Sequence, residues 1–232
     1  VTFNTVRFKE DLAGKVGKFL ESDSTQIIEL LNSNDFVSNY GFNNTTFLTL
    51  FLPNTYEFYW NTSAEQFVER MATEYKKYWT AERKQKAKNL GLSQSEVSIL
   101  ASIVQKETNK NDEKPTVAGV YLNRLKKGML LQADPTLVYA NKDFTARRVL
   151  NWHKKIDSPY NTYKYKGLPP GPICLPSISS IDAVLNAKSH SYLYFCAKAD
   201  NSGYHSFAST YSQHLKNARE FQRELNRRKV YR

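Results

Sequence analysis

The sequence predicts an α+β protein: a small strand-helix-helix-strand unit, then a mixed α+β domain built round a central helix that ends in an acid. Three observations predict it. Near the N-terminus, Thr2–Phe8 alternates like a strand, two amphipathic stretches follow, and Phe47–Leu52 makes a second strand-like run that stops at Pro53. In the middle, Leu92–Thr108 repeats its apolar residues at helical spacing. Towards the C-terminus, Tyr192–Ala197 and Tyr204–Ala208 read as strands joined by the turn Asp200–Gly203. With 232 residues, 41% of them hydrophobic, the chain can bury a core in one large domain or two small ones. The boundaries fall at residues 1–60, 61–91 and 92–232, the middle piece serving as a helical connector.

The elements follow in order. The first amphipathic stretch carries Leu12, Val16, Phe19 and Leu20; the second carries Ile27, Ile28, Leu30 and Leu31, with Ser24 or Thr25 as its cap. Strand, helix, helix, strand is an order similar to a LysM module, a small glycan-binding fold. Ser63–Asn89 reads as one long polar helix closed by Gly91. Ser93 opens the next helix, and Glu96 three residues later completes a capping box. After a polar turn from Asn109 to Lys114, Pro115 at a first helical position opens a helix that Gly128 closes. Tyr160–Pro176, rich in Pro, Gly and Tyr, reads as a shaped loop of the kind that carries function. Ile181–Ala187 is a short helix, and Thr210 onward is a closing amphipathic helix.

Composition narrows the function classes. A net charge of +11 points to an anionic partner: nucleic acid, an anionic lipid surface or an acidic polymer such as peptidoglycan. The short basic clusters, Lys76-Lys77, Arg83–Lys86, Arg147-Arg148 and Arg227–Lys229, come without an arginine-rich arm, zinc-ligand spacing or an RNA-binding sheet motif. Nucleic acid is therefore not expected. The 15 Tyr and 13 Phe suit either a groove that stacks on sugar rings or ordinary packing with polar tips. Cys174 and Cys196 are too few for a disulfide scaffold. No phosphate loop, G-x-S-x-G elbow or H-E-x-x-H is present, and His153, His190, His205 and His214 lack metal-ligand spacing, so neither metal nor cofactor is expected. No apolar run of about 18 residues appears, so the chain as given reads as soluble, and Val1 reads as the start of a piece of something longer.

Acid/base chemistry by a carboxyl group remains, and Glu107 is its candidate. Val97, Leu100, Val104 and Glu107 form one helical stripe whose last member is an acid. Such a carboxyl is either a helix end dipping into solvent or an acid in a poorly solvated cleft. In a cleft, desolvation raises its pKa towards the range a general acid needs.

Several blocks of sequence now carry a resemblance: Ala101–Thr108, Val120–Met129 and Leu131–Thr136, then Tyr160–Tyr163, Gly167–Pro172 and Tyr192–Phe195. Together they resemble the endolytic murein transglycosylases of the MltG (YceG-like) family over roughly residues 95 to 210, and Pro53–Phe58 is similar to the family's approach to its catalytic region. The resemblance implies cleavage of the β-1,4 bond between N-acetylmuramic acid and N-acetylglucosamine inside peptidoglycan strands, leaving 1,6-anhydro ends. It implies Glu107 as the acid that protonates the leaving oxygen and then, as base, takes the proton of the attacking C6 hydroxyl. Family members often carry a second Glu two residues earlier; here Gln105 stands there, so the chemistry falls to Glu107 alone. A membrane anchor preceding this chain, work on the outer face of the inner membrane, and coordination with glycan-polymerising synthases (penicillin-binding proteins) are implied too. A glycan-binding protein with a degenerate site is the alternative.

Further candidates surround Glu107. Asp134, in Ala133-Asp134-Pro135-Thr136, is either a helix cap or a second carboxylate. Gln132 could bind the sugar acetamido group or hold the loop. Asn123 could orient Glu107 or a substrate hydroxyl, or serve as a packing amide. Tyr160, Asn161 and Tyr163 could line the glycan groove or staple the loop, and His205 is the last residue considered for the site.

Overall fold

A computed structural model describes residues 1–146 and 148–227, so Arg147 and residues 228–232, with the basic clusters they belong to, lie in whole or part outside the described residues. The N-terminal unit opens with β1 (Thr2–Phe3), then α1 (Lys9–Val16), α2 (Ser24–Asn32) and α3 (Asn34–Ser38), and returns in β2 (Asn54–Thr55). The two strands are antiparallel, Thr2 opposite Thr55 and Phe3 opposite Asn54. The pairing stops there because the chain leaves the sheet: the Val6 carbonyl accepts from the Leu175 amide at 2.7 Å.

The run expected to be the second strand is a 3-10 turn at Phe47–Leu50 instead. Its four residues are all buried, and a continuously apolar run serves a buried turn as well as a strand. Asn43 sets the turn up by accepting from the amides of Thr45 and Thr46, both at 3.0 Å. The cap of α2 also differs from expectation: it is Asp23, which accepts from the Gln26 amide at 2.9 Å.

The long connector is two helices, α4 (Ala64–Tyr78) and α5 (Ala81–Asn89). Trp79, 1% exposed, leaves helical geometry, and Thr80 then caps α5 through the Arg83 amide. α4 is less polar than its composition suggests. It buries Phe67, Val68, Met71, Ala72 and Tyr75 along one face, and Phe67 stacks on Phe51 with 5.8 Å between centroids. Phe3, Phe47 and Phe51 join the same cluster, so much of the aromatic content is packing, each buried ring contributing about 1.5–3 kcal/mol.

Next come α6 (Gln94–Glu107), α7 (Lys114–Lys126) and α8 (Asp134–Asn141); after the long loop follow α9 (Ile178–Leu185), β3 (Tyr194–Ala197), β4 (His205–Ala208) and α10 (Tyr211–Arg227). The Ser93–Glu96 box is present, with the Ser93 amide donating to Glu96 Oε2 at 2.7 Å. Val97 to Val104 are all buried, which makes α6 the central helix, packed against α7, α8 and α9. Pro115 is the second residue of α7, and Gly128 ends that segment with φ +63°. The C-terminal strands pair antiparallel from Tyr194 opposite Ala208 to Ala197 opposite His205, and α10 lies on them. Cys174 and Cys196 are both free thiols. No helix among the described residues is long and apolar enough to cross a membrane.

Candidate active site

Burial along α6 loosens only in its last turn, where Gln105 and Glu107 are half-buried and Lys106 is exposed. The stripe of Val97, Leu100 and Val104 is wholly buried, and Glu107 follows it into a cleft. The helix ends at Thr108, whose backbone turns extended and whose hydroxyl donates to Glu113 Oε2 at 3.0 Å. Burial pushes the Glu107 carboxyl up to about 7. The Tyr121 hydroxyl on α7 donates to Glu107 Oε1 at 2.6 Å and pulls the other way, while the charge of Asp134 raises the value and that of Arg124 lowers it. Glu107 can therefore be protonated near neutral pH and still reach an opening.

The cleft has a volume of about 280 Å³. Glu107 and Asp134 stand on its lining with Pro135, Val138, Tyr139 and Ile173. Asp134 is the first residue of α8 and does not cap it: the cap position is Ala133, with no side-chain cap bond, and Asp134 accepts from the Tyr163 hydroxyl at 2.5 Å. The two sequence blocks are thus docked on each other. Thr162 secures the joint, accepting from the Ala133 amide at 3.0 Å and from the Gln132 amide through its carbonyl at 3.0 Å. Gln132 sits there with φ +49° and an exposed side chain, a left-handed backbone that the docking holds in place.

The other expected site residues go elsewhere. Asn123 donates to the carbonyls of His190 (2.8 Å) and Tyr192 (3.0 Å), which is the packing role of its two readings. Asn161 is a loop staple: fully buried, it donates to the carbonyls of Lys154 (3.0 Å) and Ile156 (2.8 Å) and accepts from the Tyr163 amide. Tyr160 packs on Tyr139, 4.8 Å between centroids, behind the cleft wall. His205 is held by Glu113, which takes its amide and its ring Nδ1, both at 2.7 Å. Glu113 therefore ties β4 to Thr108, next to the acid, while His205 itself contacts Phe195 rather than Glu107.

Sequence reasoning missed Tyr121, Arg7, Lys106, Phe144 and Arg148. Tyr121 had a signal: it shares the buried stripe of α7 with Val117, four residues earlier, and two residues along a helix Asn123 faces away from it. Arg7 and Phe144 had none, because only the fold brings their segments to the cleft, whereas Lys106 adjoins Glu107 in the chain and Arg148 stands in a basic cluster.

Known proteins share this chain's sequence pattern and fold. The sequence profile of the YceG-like family matches residues 7–220. A Bacillus subtilis protein named endolytic murein transglycosylase is 38% identical over 159 residues, covering 67% of this chain and 42% of that protein. A Streptococcus pneumoniae protein of the same name is 30% identical over 176 residues, covering 72% of this chain and 31% of its own length. The chain thus spans less than half the length of the curated relatives it matches. A crystal structure of a yceG-like protein from Listeria monocytogenes superposes with a TM-score of 0.77 at 28% identity, covering 93% of this chain and 74% of that one.

Proposed function

We propose, for a chain that belongs to the YceG-like family, that it is the lytic part of a peptidoglycan-cleaving protein, breaking the β-1,4 bond between N-acetylmuramic acid and N-acetylglucosamine within glycan strands. One observation carries the reading: a carboxyl at the end of a buried apolar helix, raised to about 7, opens on a cleft. Glu107, protonated, gives its proton to the glycosidic oxygen as the bond to the anomeric carbon breaks. The resulting carboxylate takes the proton of the muramyl C6 hydroxyl as that oxygen bonds the same carbon. The proton count closes, no water is consumed, and a 1,6-anhydro ring is the product.

Asp134 stabilises positive charge building on the sugar, with Tyr163 holding its carboxylate in place. Gln132, exposed on the docked loop, is placed to take the acetamido group. Reaction in water enriched in oxygen-18 tests the chemistry. A lytic enzyme yields new ends without the label; labelled reducing ends would show hydrolysis instead, and no new ends would leave a glycan-binding protein.

The unit at 1–60 fits a LysM-like glycan-binding module, a reading supported by two helices, α1 and α2, that follow β1 and by the antiparallel pairing of β1 with β2, with α3 and the 3-10 turn at Phe47–Leu50 added before β2. The parent protein would work in the bacterial cell envelope, anchored by a segment preceding this chain and beside glycan-polymerising synthases. Fractionation of the intact tagged protein with the inner membrane checks the anchor; recovery in the soluble fraction would count against it.

A further inference from the structure

Glu113 is a buried acid that the cleavage chemistry does not use. It is 5% exposed and stands at the cap position of α7, yet its side chain makes no cap bond there. Its oxygens accept from two other segments instead. The Thr108 hydroxyl donates to Oε2 at 3.0 Å, the His205 amide to Oε1 at 2.7 Å, and His205 Nδ1 to Oε2 at 2.7 Å. Among the described residues no lysine or arginine forms an ion pair with it. Burying a carboxylate is costly, and apolar groups of similar size often serve stability as well, so stability alone does not account for Glu113.

The three bonds close a ring of contacts round Glu107. Thr108 follows the acid directly and takes the chain out of α6 at φ −142°, and the Lys110 amide donates to the same Thr108 hydroxyl at 3.1 Å. From His205 the ring continues through aromatic side chains. The imidazole meets Phe195 edge to face with 5.2 Å between centroids, Phe195 meets Tyr121 in the same way at 5.9 Å, and Tyr121 donates to Glu107. Glu113 therefore reaches the acid by two routes, the backbone at Thr108 and the rings that end in Tyr121. Charge is not the means, since the charges acting on Glu107 are those of Asp134 and Arg124. Orientation remains, and a misplacement of about 1 Å can cost a factor of about 10² in rate. We propose that Glu113 and His205 are positioning residues that aim Glu107 at the glycosidic oxygen, by holding the end of α6 and the Tyr121 hydroxyl in register through the β3–β4 hairpin. This rests on Glu107 being the acid of the proposed cleavage and identifies what holds it.

Kinetics of folded variants on soluble glycan strands test it. Glu113→Gln keeps the side chain's size but replaces one acceptor oxygen with a donor, and Thr108→Val cuts the same link from its other end with little change of shape. Each should lower kcat by about tenfold or more and leave KM unchanged, while Thr108→Ser, which restores the hydroxyl, should recover kcat. A loosened ring weakens the Tyr121 bond that favours the Glu107 anion, so in Glu113→Gln the alkaline limb of the pH–rate profile should move to higher pH. Unchanged kcat in both variants, a raised KM in place of the lost kcat, or no recovery in Thr108→Ser overturns the proposal. So does a limb that stays put, or one that moves to lower pH, which would show the charge of Glu113 acting directly. If the wild type cleaves no strand, the cleavage reading has failed, and carbon-13 NMR of the Glu107 carboxyl decides whether Glu113 holds it. A titration midpoint raised in Glu113→Gln supports the inference, and an unmoved midpoint sinks it.

Discussion

Glu107 is poised by opposing influences, and each can be removed singly. Burial raises its pKa, the Tyr121 hydrogen bond and Arg124 lower it, and Asp134 raises it. If the protonated form is the reactive one, the rate falls as pH rises through about 7. Asp134→Asn removes a negative neighbour, so the alkaline limb of the pH–rate profile should move to lower pH. Tyr121→Phe removes a donor that favours the anion, so the limb should move to higher pH, at a cost of about 1–3 kcal/mol in stability from the lost buried bond. Profiles that shift in the same direction, or not at all, would contradict this assignment of charges.

At the scale of elements, α6 is the platform and Gln105 is the peg that fastens it. Its Nε2 donates to Thr5 Oγ1, and its Oε1 accepts from the Ser177 amide, both at 2.5 Å, and from Ser180 Oγ at 3.1 Å. One amide thus joins the N-terminal segment, the end of the long loop and the start of α9. Gln105→Ala should lower stability in urea unfolding by roughly 1–3 kcal/mol, and a loss within a few tenths would show that the loop end is held by other contacts. How much of this could be read from the sequence depends on whether the signal is local. Ser93 with Glu96 announced the start of α6, and the two C-terminal strands emerged at nearly their full extent. The break at Trp79-Thr80 was hidden, because Thr80 sits in a polar run that a continuing helix would also tolerate. Phe47–Leu50 was misread because an unbroken apolar run carries no periodicity to separate strand from buried turn. In the cleft, Glu107 and Asp134 were legible as acids out of register or in a motif. Arg7 and Phe144 were not, since only the fold brings them beside α6.

For the whole molecule, a buried acid is a stability liability at high pH. The folded-state value of about 7 lies above the ordinary 4.5, so the fold favours the protonated form. The contribution is fully present below pH 4.5 and is lost as pH rises through about 7. Relative to Glu107→Gln, the wild type should lose up to about 3 kcal/mol between those limits, read as a difference in unfolding free energy at pH 4.5 and pH 8. A constant difference across that range would mean the carboxyl is solvated like any surface acid. The same substitution gives the most direct test of the central claim, that one carboxyl at the end of α6 does the cleavage. Purified sacculi are incubated with folded wild type and folded Glu107→Gln, and the released muropeptides are resolved by mass spectrometry. The wild type should release 1,6-anhydro products, and Glu107→Gln should release them at least roughly 10²–10⁴-fold more slowly. Comparable release by both proteins would contradict the account.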